Sequence, residues 1–104
     1  MSPTERSLKL LRKEGWRVAV VEKWNPHAKV RQDLFGFADL IAVTTDPLSY
    51  IMLVQVTSYS NMASRRAKVV ANDGAADWKG AGGRIELHGW KKVGKSYMLK
   101  REVL

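Results

Sequence analysis

Phe35-Gly36-Phe37-Ala38-Asp39-Leu40-Ile41-Ala42-Val43 and Tyr50-Ile51-Met52-Leu53-Val54-Gln55-Val56-Thr57 are apolar runs parted by the turn signal Thr45-Asp46-Pro47, a pattern expected of two antiparallel strands. The second run is almost unbroken, which points to burial on both faces. Asp39 and Gln55 interrupt the apolar pattern sixteen positions apart (55 − 39), and a connection near Asp46-Pro47 can bring them side by side. A carboxylate among Phe37, Leu40 and Ile41 is costly unless it is paired, hydrogen-bonded or bound to a metal. A structural aspartate accepting backbone N–H bonds at a bulge would satisfy the same pattern.

Toward the N-terminus, Ser2-Pro3-Thr4-Glu5 reads as a helix start, Leu8, Leu10 and Leu11 supply an apolar stripe, and Gly15 is a natural stop, so a helix is expected over 3–14. Trp16 to Glu22 reads as a strand, and the polar, proline-containing stretch from Lys23 to Asp33 as a loop. Beyond Thr57 the period changes. Ser60 or Asn61 can cap a helix to about Ala71, with Met62, Ala63, Ala67 and Val70 inward and Arg65, Arg66 and Lys68 largely outward. A short helical piece follows from Asp73 to about Gly80. Arg84 to Trp90 alternates as a half-buried strand, and Tyr97 to Val103 reads as an edge strand. The expected order is α-β-β-β-α-β with a small addition, a single α/β domain with a mixed central sheet flanked by helices.

The chain has 104 residues, with 18 Lys and Arg against 10 Asp and Glu for a net charge of +8, and no cysteine. That length supports one core. With 45% hydrophobic and 27% charged residues, the composition is that of a globular domain. Disulfides, thiolate catalysis and cysteine-ligated zinc are excluded. The positive charge is spread from Arg12 and Lys13 to Lys100 and Arg101, a distribution suited to phosphates and hence to nucleic acid. The basic residues do not form one face of a long amphipathic helix, and no stretch reaches the length of a membrane span, so no membrane partner is expected. The first residues lack the apolar run of a signal peptide, which leaves a cytoplasmic location as the default.

Phe37-Ala38-Asp39-Leu40-Ile41-Ala42 followed by Leu53-Val54-Gln55-Val56-Thr57 resembles the core of the PD-(D/E)XK nuclease superfamily, the restriction-endonuclease-like fold, over roughly residues 4–90. The likeness is nearest to small Holliday junction resolvases and compact phage or prophage nucleases. It implies that Asp39 is the motif aspartate and binds Mg²⁺ or Mn²⁺, that Gln55 stands where the second acidic ligand usually does, that Val56 offers its backbone carbonyl, and that Glu5 matches the acidic residue on helix one. It also implies a DNA substrate, a homodimer, and phosphate contacts from Lys29, Arg31, Arg65, Arg66 and Lys68. Three residues depart from the pattern. Ala38 replaces the proline, Gln55 the acid and Thr57 the lysine. Mrr-like restriction enzymes of the superfamily use glutamine at that position. Thr57 cannot act as an ammonium does beside a phosphoryl group, so a cation must arrive from Arg65, Arg66 or Lys68, or from Lys29 or Arg31.

The enzymatic reading is thus a metal-dependent deoxyribonuclease. Its rival is a DNA-binding or assembly protein that kept the fold and lost the chemistry, and an RNA-associated basic protein is a third class. His27 could line a groove but a lone loop histidine is more often solvated. His88 reads as structural, and Asp33 as loop-ordering or metal-binding. Trp24, Trp78 and Trp90 could stack on bases, although tryptophans in a small chain mostly fill cores or interfaces. Gly80-Ala81-Gly82-Gly83 follows a helix and lacks the lysine-serine ending of a phosphate-binding loop, so it reads as a tight turn.

Overall fold

The structure, a computed structural model, describes residues 1–45, 47 and 49–104. Asp46, in the predicted turn Thr45-Asp46-Pro47, lies outside them. Helix α1 (Pro3–Lys13) begins where expected: the Ser2 hydroxyl accepts from Glu5 N–H, proline occupies the first turn, and Arg12 and Lys13 lie at the negative end of the dipole. Strands β1 (Arg17–Val20), β4 (Leu40–Thr44), β5 (Tyr50–Ser58), β6 (Arg84–Val93) and β7 (Ser96–Val103) form one mixed sheet in the order β1-β4-β5-β6-β7. Only β5 and β6 run parallel; the other neighbours are antiparallel. A parallel pair needs a crossover, and α2 (Met62–Val70) and α3 (Asp73–Gly80) supply it.

Side chains on β5 alternate between two cores. Met52, Val54 and Val56 join Leu11 of α1, Val18 and Leu40 on one face, whereas Leu53 joins Phe37, Val69 of α2, Ala75 of α3 and Ile85 on the other. The sheet is therefore covered on both sides, by α1 and by α2 with α3. Gly89 of β6, opposite Thr57, lies where an added Cβ would stand 2.2 Å from Met62 Sδ and 2.5 Å from Met62 Cγ. Met62 is buried, so Gly89→Ala should cost about 1–3 kcal/mol, measurable as a lower urea midpoint at unchanged slope.

Several expectations need correction. Residues 23–33 are not a plain loop: β2 (Lys23–Asn25) and β3 (Val30–Gln32) form a separate ribbon. The strand predicted from Phe35 starts at Leu40, because Phe35 (φ 56°) and Gly36 (φ 81°) turn the chain and Leu34 bridges Ala38. Asp39 thus lies at the entrance to β4. On α2 Met62 is buried as expected, but the other buried residue is Val69, while Ala63, Ala67 and Val70 are exposed and Arg65 and Arg66 half-buried. A 3-10 turn at Tyr59–Asn61 precedes the helix. Strand β6 is buried on both faces from Ile85 to Gly89, and its Glu86 and His88 are core groups. His88 Nδ1 and the Ser7 hydroxyl of α1 are 2.8 Å apart, the Trp90 indole N–H donates to that hydroxyl, and His88 Nε2 lies 3.0 Å from Glu86 Oε1. Helix α1 is thereby fastened to the sheet by a satisfied polar chain.

Candidate metal centre

Leu40 pairs with Val54 in the β4–β5 ladder, and Asp39 N–H continues it by donating to Val54 O at 2.8 Å. One residue further along, Asp39 and Gln55 face each other. The Gln55 side-chain amide donates from Nε2 to Asp39 Oδ2 at 3.0 Å and to Val56 O at 3.2 Å, and Val56 N–H donates to the same carboxylate oxygen at 2.7 Å. The aspartate is 5% exposed and the glutamine 2%. The three groups that the sequence singled out therefore meet around one point.

Two further carboxylates close in. Oxygens of Glu22, Asp33 and Asp39 all lie within 4.8 Å of one another. Glu22 follows β1 and Asp33 follows β3, and both are partly exposed, so they form the solvent side of the cluster while Asp39 forms its floor. Burial pushes the Asp39 carboxyl up, the Val56 N–H pulls it down, and the charge and hydrogen bond of Asp33 and the charge of Glu22 push it further, to about 8. Without a cation Asp39 holds a proton at neutral pH. Asp33 had two readings from sequence; Glu22, at a strand end before a polar stretch, carried no signal of its own.

The donor set suits a hard divalent ion. Gln55 Oε1 is buried without a hydrogen-bond partner among the described residues, which is costly for a buried amide. Its Nε2 stands between Asp39 Oδ2 and Val56 O. The two ends of a carboxamide are nearly alike in shape, and a half-turn puts Oε1 in that place, making three oxygens converge where one N–H donor now bridges two of them. Oxygen-only ligation with clustered carboxylates is the preference of Mg²⁺ and Mn²⁺.

The remaining residues are distributed as follows. Thr57 is buried on the same face as Gln55, two positions on. Glu5 is exposed in the first turn of α1, on the helix covering the opposite face, and is not brought into the carboxylate cluster. Among the described residues Arg31 is the basic side chain that reaches it: its guanidinium lies 3.3 Å from Glu22 Oε1 with the side chain 66% exposed. Lys29 occupies the β2–β3 turn at φ 55°. Arg66 is held in a two-pronged pair with Glu102 of β7 at 2.8 and 2.5 Å, and Arg65 and Lys68 lie on the same helix, half-buried and exposed. Ion pairs among the described residues use arginine or His88, and Lys91 and Lys100 lie over the Tyr59 ring at 5.1 and 5.8 Å. Among the described residues no helix is long and apolar enough to cross a membrane.

Comparison with protein-family models, with curated proteins and with solved structures gave no match.

Proposed function

We propose that the chain is a metal-dependent endonuclease that hydrolyses DNA phosphodiester bonds, built on a restriction-endonuclease-like core. The observation carrying this reading is the convergence of Asp39, Gln55 and Val56 at the start of β4 and middle of β5, beside Glu22 and Asp33. The order of α1, β1, β4, β5, the helical crossover and parallel β6 agrees with the α-β-β-β-α-β core of that superfamily. The net charge of +8 favours a phosphate-bearing substrate. Asp39, Gln55 and Val56 O would hold Mg²⁺ or Mn²⁺, with Glu22 or Asp33 completing the set. When bound, such an ion activates water and offsets charge developing on the phosphate.

The chain's own side chains do the rest. Whichever of Glu22 and Asp33 does not complete that set would orient a water and take its proton. Arg31, bridging to Glu22, stands in for the cation that Thr57 lacks and neutralises a phosphate oxygen. A homodimer presenting two such sites would suit a branched DNA substrate.

The test is cleavage of four-way junction, duplex and single-stranded DNA with Mg²⁺ or Mn²⁺. Wild type should cut at least one of them, and Arg31→Ala should lower kcat about 10²-fold or more, the scale for removing one charge-stabilising donor. The rival reading, a non-catalytic DNA-binding relative, draws on Thr57 and on the depth of Asp39. It wins if wild type and Asp39→Ala are equally inert in either metal while both bind DNA.

A further inference from the structure

Among the described residues, β2 and β3 pair only with each other. Residues 23–32 include Lys23, Lys29 and Arg31 and no carboxylate, and every one of them except Asn25 is exposed. An isolated two-stranded ribbon is marginal in water. Here the Asn25 side chain holds the turn by accepting from His27 and Ala28 N–H at 3.0 and 3.1 Å. Trp24 has no core to fill: it is 53% exposed. Its cross-strand partner is Arg31, and directly opposed residues of an antiparallel pair project on one face, so an indole and a guanidinium share that face. Trp24 also lines an open hollow of about 430 Å³ with Lys23, Asn25, Pro26, His27 and Gln32. The two ends of the ribbon are Glu22 and Asp33, two of the three clustered carboxylates.

Cations alone would serve an intact duplex, whose bases offer no free π-face. An exposed indole among cations suits an unpaired base, since every base can stack and stacking tolerates sequence. We infer that the β2–β3 ribbon is a recognition arm for DNA with unpaired bases: Trp24 stacks on a base while Lys23, Lys29 and Arg31 neutralise the adjoining phosphates. The strand so held runs to the carboxylates at the root of the arm. This inference rests on the nuclease reading for its substrate, and it narrows that substrate to single-stranded segments, flaps or open junctions over continuous duplex.

The experiment measures fluorescence anisotropy of a labelled single strand and of its duplex, titrated with protein in EDTA so that nothing is cut. Wild type should prefer the single strand. Trp24→Ala should weaken single-strand binding by roughly 5- to 100-fold, the range for losing one stacked base, with little change for duplex, and Trp24→Phe should restore most of it. Lys29→Ala should weaken both and reduce the salt slope by about one. The arm is overturned if wild type shows no preference, if Trp24→Ala leaves single-strand affinity unchanged, or if it weakens both substrates equally. Trp24 is outside both cores, so an unchanged melting temperature separates these outcomes from misfolding. Cleavage assays divide the two ideas: Trp24-dependent preference without cleavage keeps the arm and removes the nuclease, whereas cleavage with Trp24→Ala binding like wild type does the reverse.

Discussion

Asp39→Asn is expected to abolish metal-dependent cleavage while making the metal-free protein more stable at pH 8. The first effect follows from position. Losses of groups that only support a metal ligand reach about 10–100-fold, so if Asp39 is a direct ligand, as proposed, removing its charge should exceed about 100-fold in kcat, read from the initial rate of cutting at saturating Mn²⁺. The second follows from burial and crowding, which raise this carboxyl from 3.8 to about 8. A folded-state value above the unfolded one means that the native protein keeps a proton the unfolded chain has released. Stability is then complete below pH 3.8 and declines as pH rises toward and through 8. Asparagine carries no charge, and its oxygen can still accept from Val56 N–H and the Gln55 amide. A gain of about 1–2 kcal/mol is in line with relieving a functional strain, and calorimetry in EDTA should show it as a higher Tm at pH 8 that shrinks toward pH 5. Mn²⁺ should raise the Tm of wild type and not of the variant. A variant less stable than wild type at pH 8, with no change of slope, would remove the charge-crowding account.

Glu86→Ala should be among the most damaging single changes in the molecule. Glu86 is 2% exposed, accepts from Arg84 and Arg101, and lies 3.0 Å from His88 Nε2. Burial pushes its carboxyl up, yet His88 and Arg101 together outweigh that and hold it at about 2, below its ordinary 4.5. Such a depressed group contributes stability above pH 4.5 that is lost as pH falls through 2. The shift corresponds to about 3 kcal/mol. Alanine also leaves buried donors without an acceptor, and breaking a buried charged set costs about 3–5 kcal/mol, a large share of what a domain of this size possesses. Urea unfolding at pH 7 reads the loss. Glu86→Gln should be milder and should flatten the acid limb of the stability curve between pH 4.5 and 2. An alanine variant within 1 kcal/mol of wild type, as an approximate threshold for a neutral surface change, would mean that the chain from Ser7 to Arg101 does not brace the sheet.

The meeting of Asp39 with Gln55 was legible because a short connection between two apolar runs forces paired positions, and polar residues in such runs stand out. The rest was hidden for identifiable reasons. Glu22 and Asp33 come together only because a ribbon leaves the sheet between β1 and β4 and returns, which no local period records. The ribbon itself buries neither face, so it lacks the alternation by which strands are read. Glu86 looked like the solvent side of a half-buried strand, since a satisfied buried carboxylate and an exposed one are the same letter, whereas His88 already read as structural. On α2 the buried positions are Met62 and Val69, seven apart, and Val70 faces outward.

The pairing of Lys23 with Gln32 at the base of the ribbon holds Glu22 and Asp33 at a set separation whatever lies beyond it. Residues added, removed or exchanged at the tip are therefore expected to leave the carboxylates in place. Under the proposed function, recognition would be free to change while the reactive chemistry stays put, with one rung of backbone as the boundary between them.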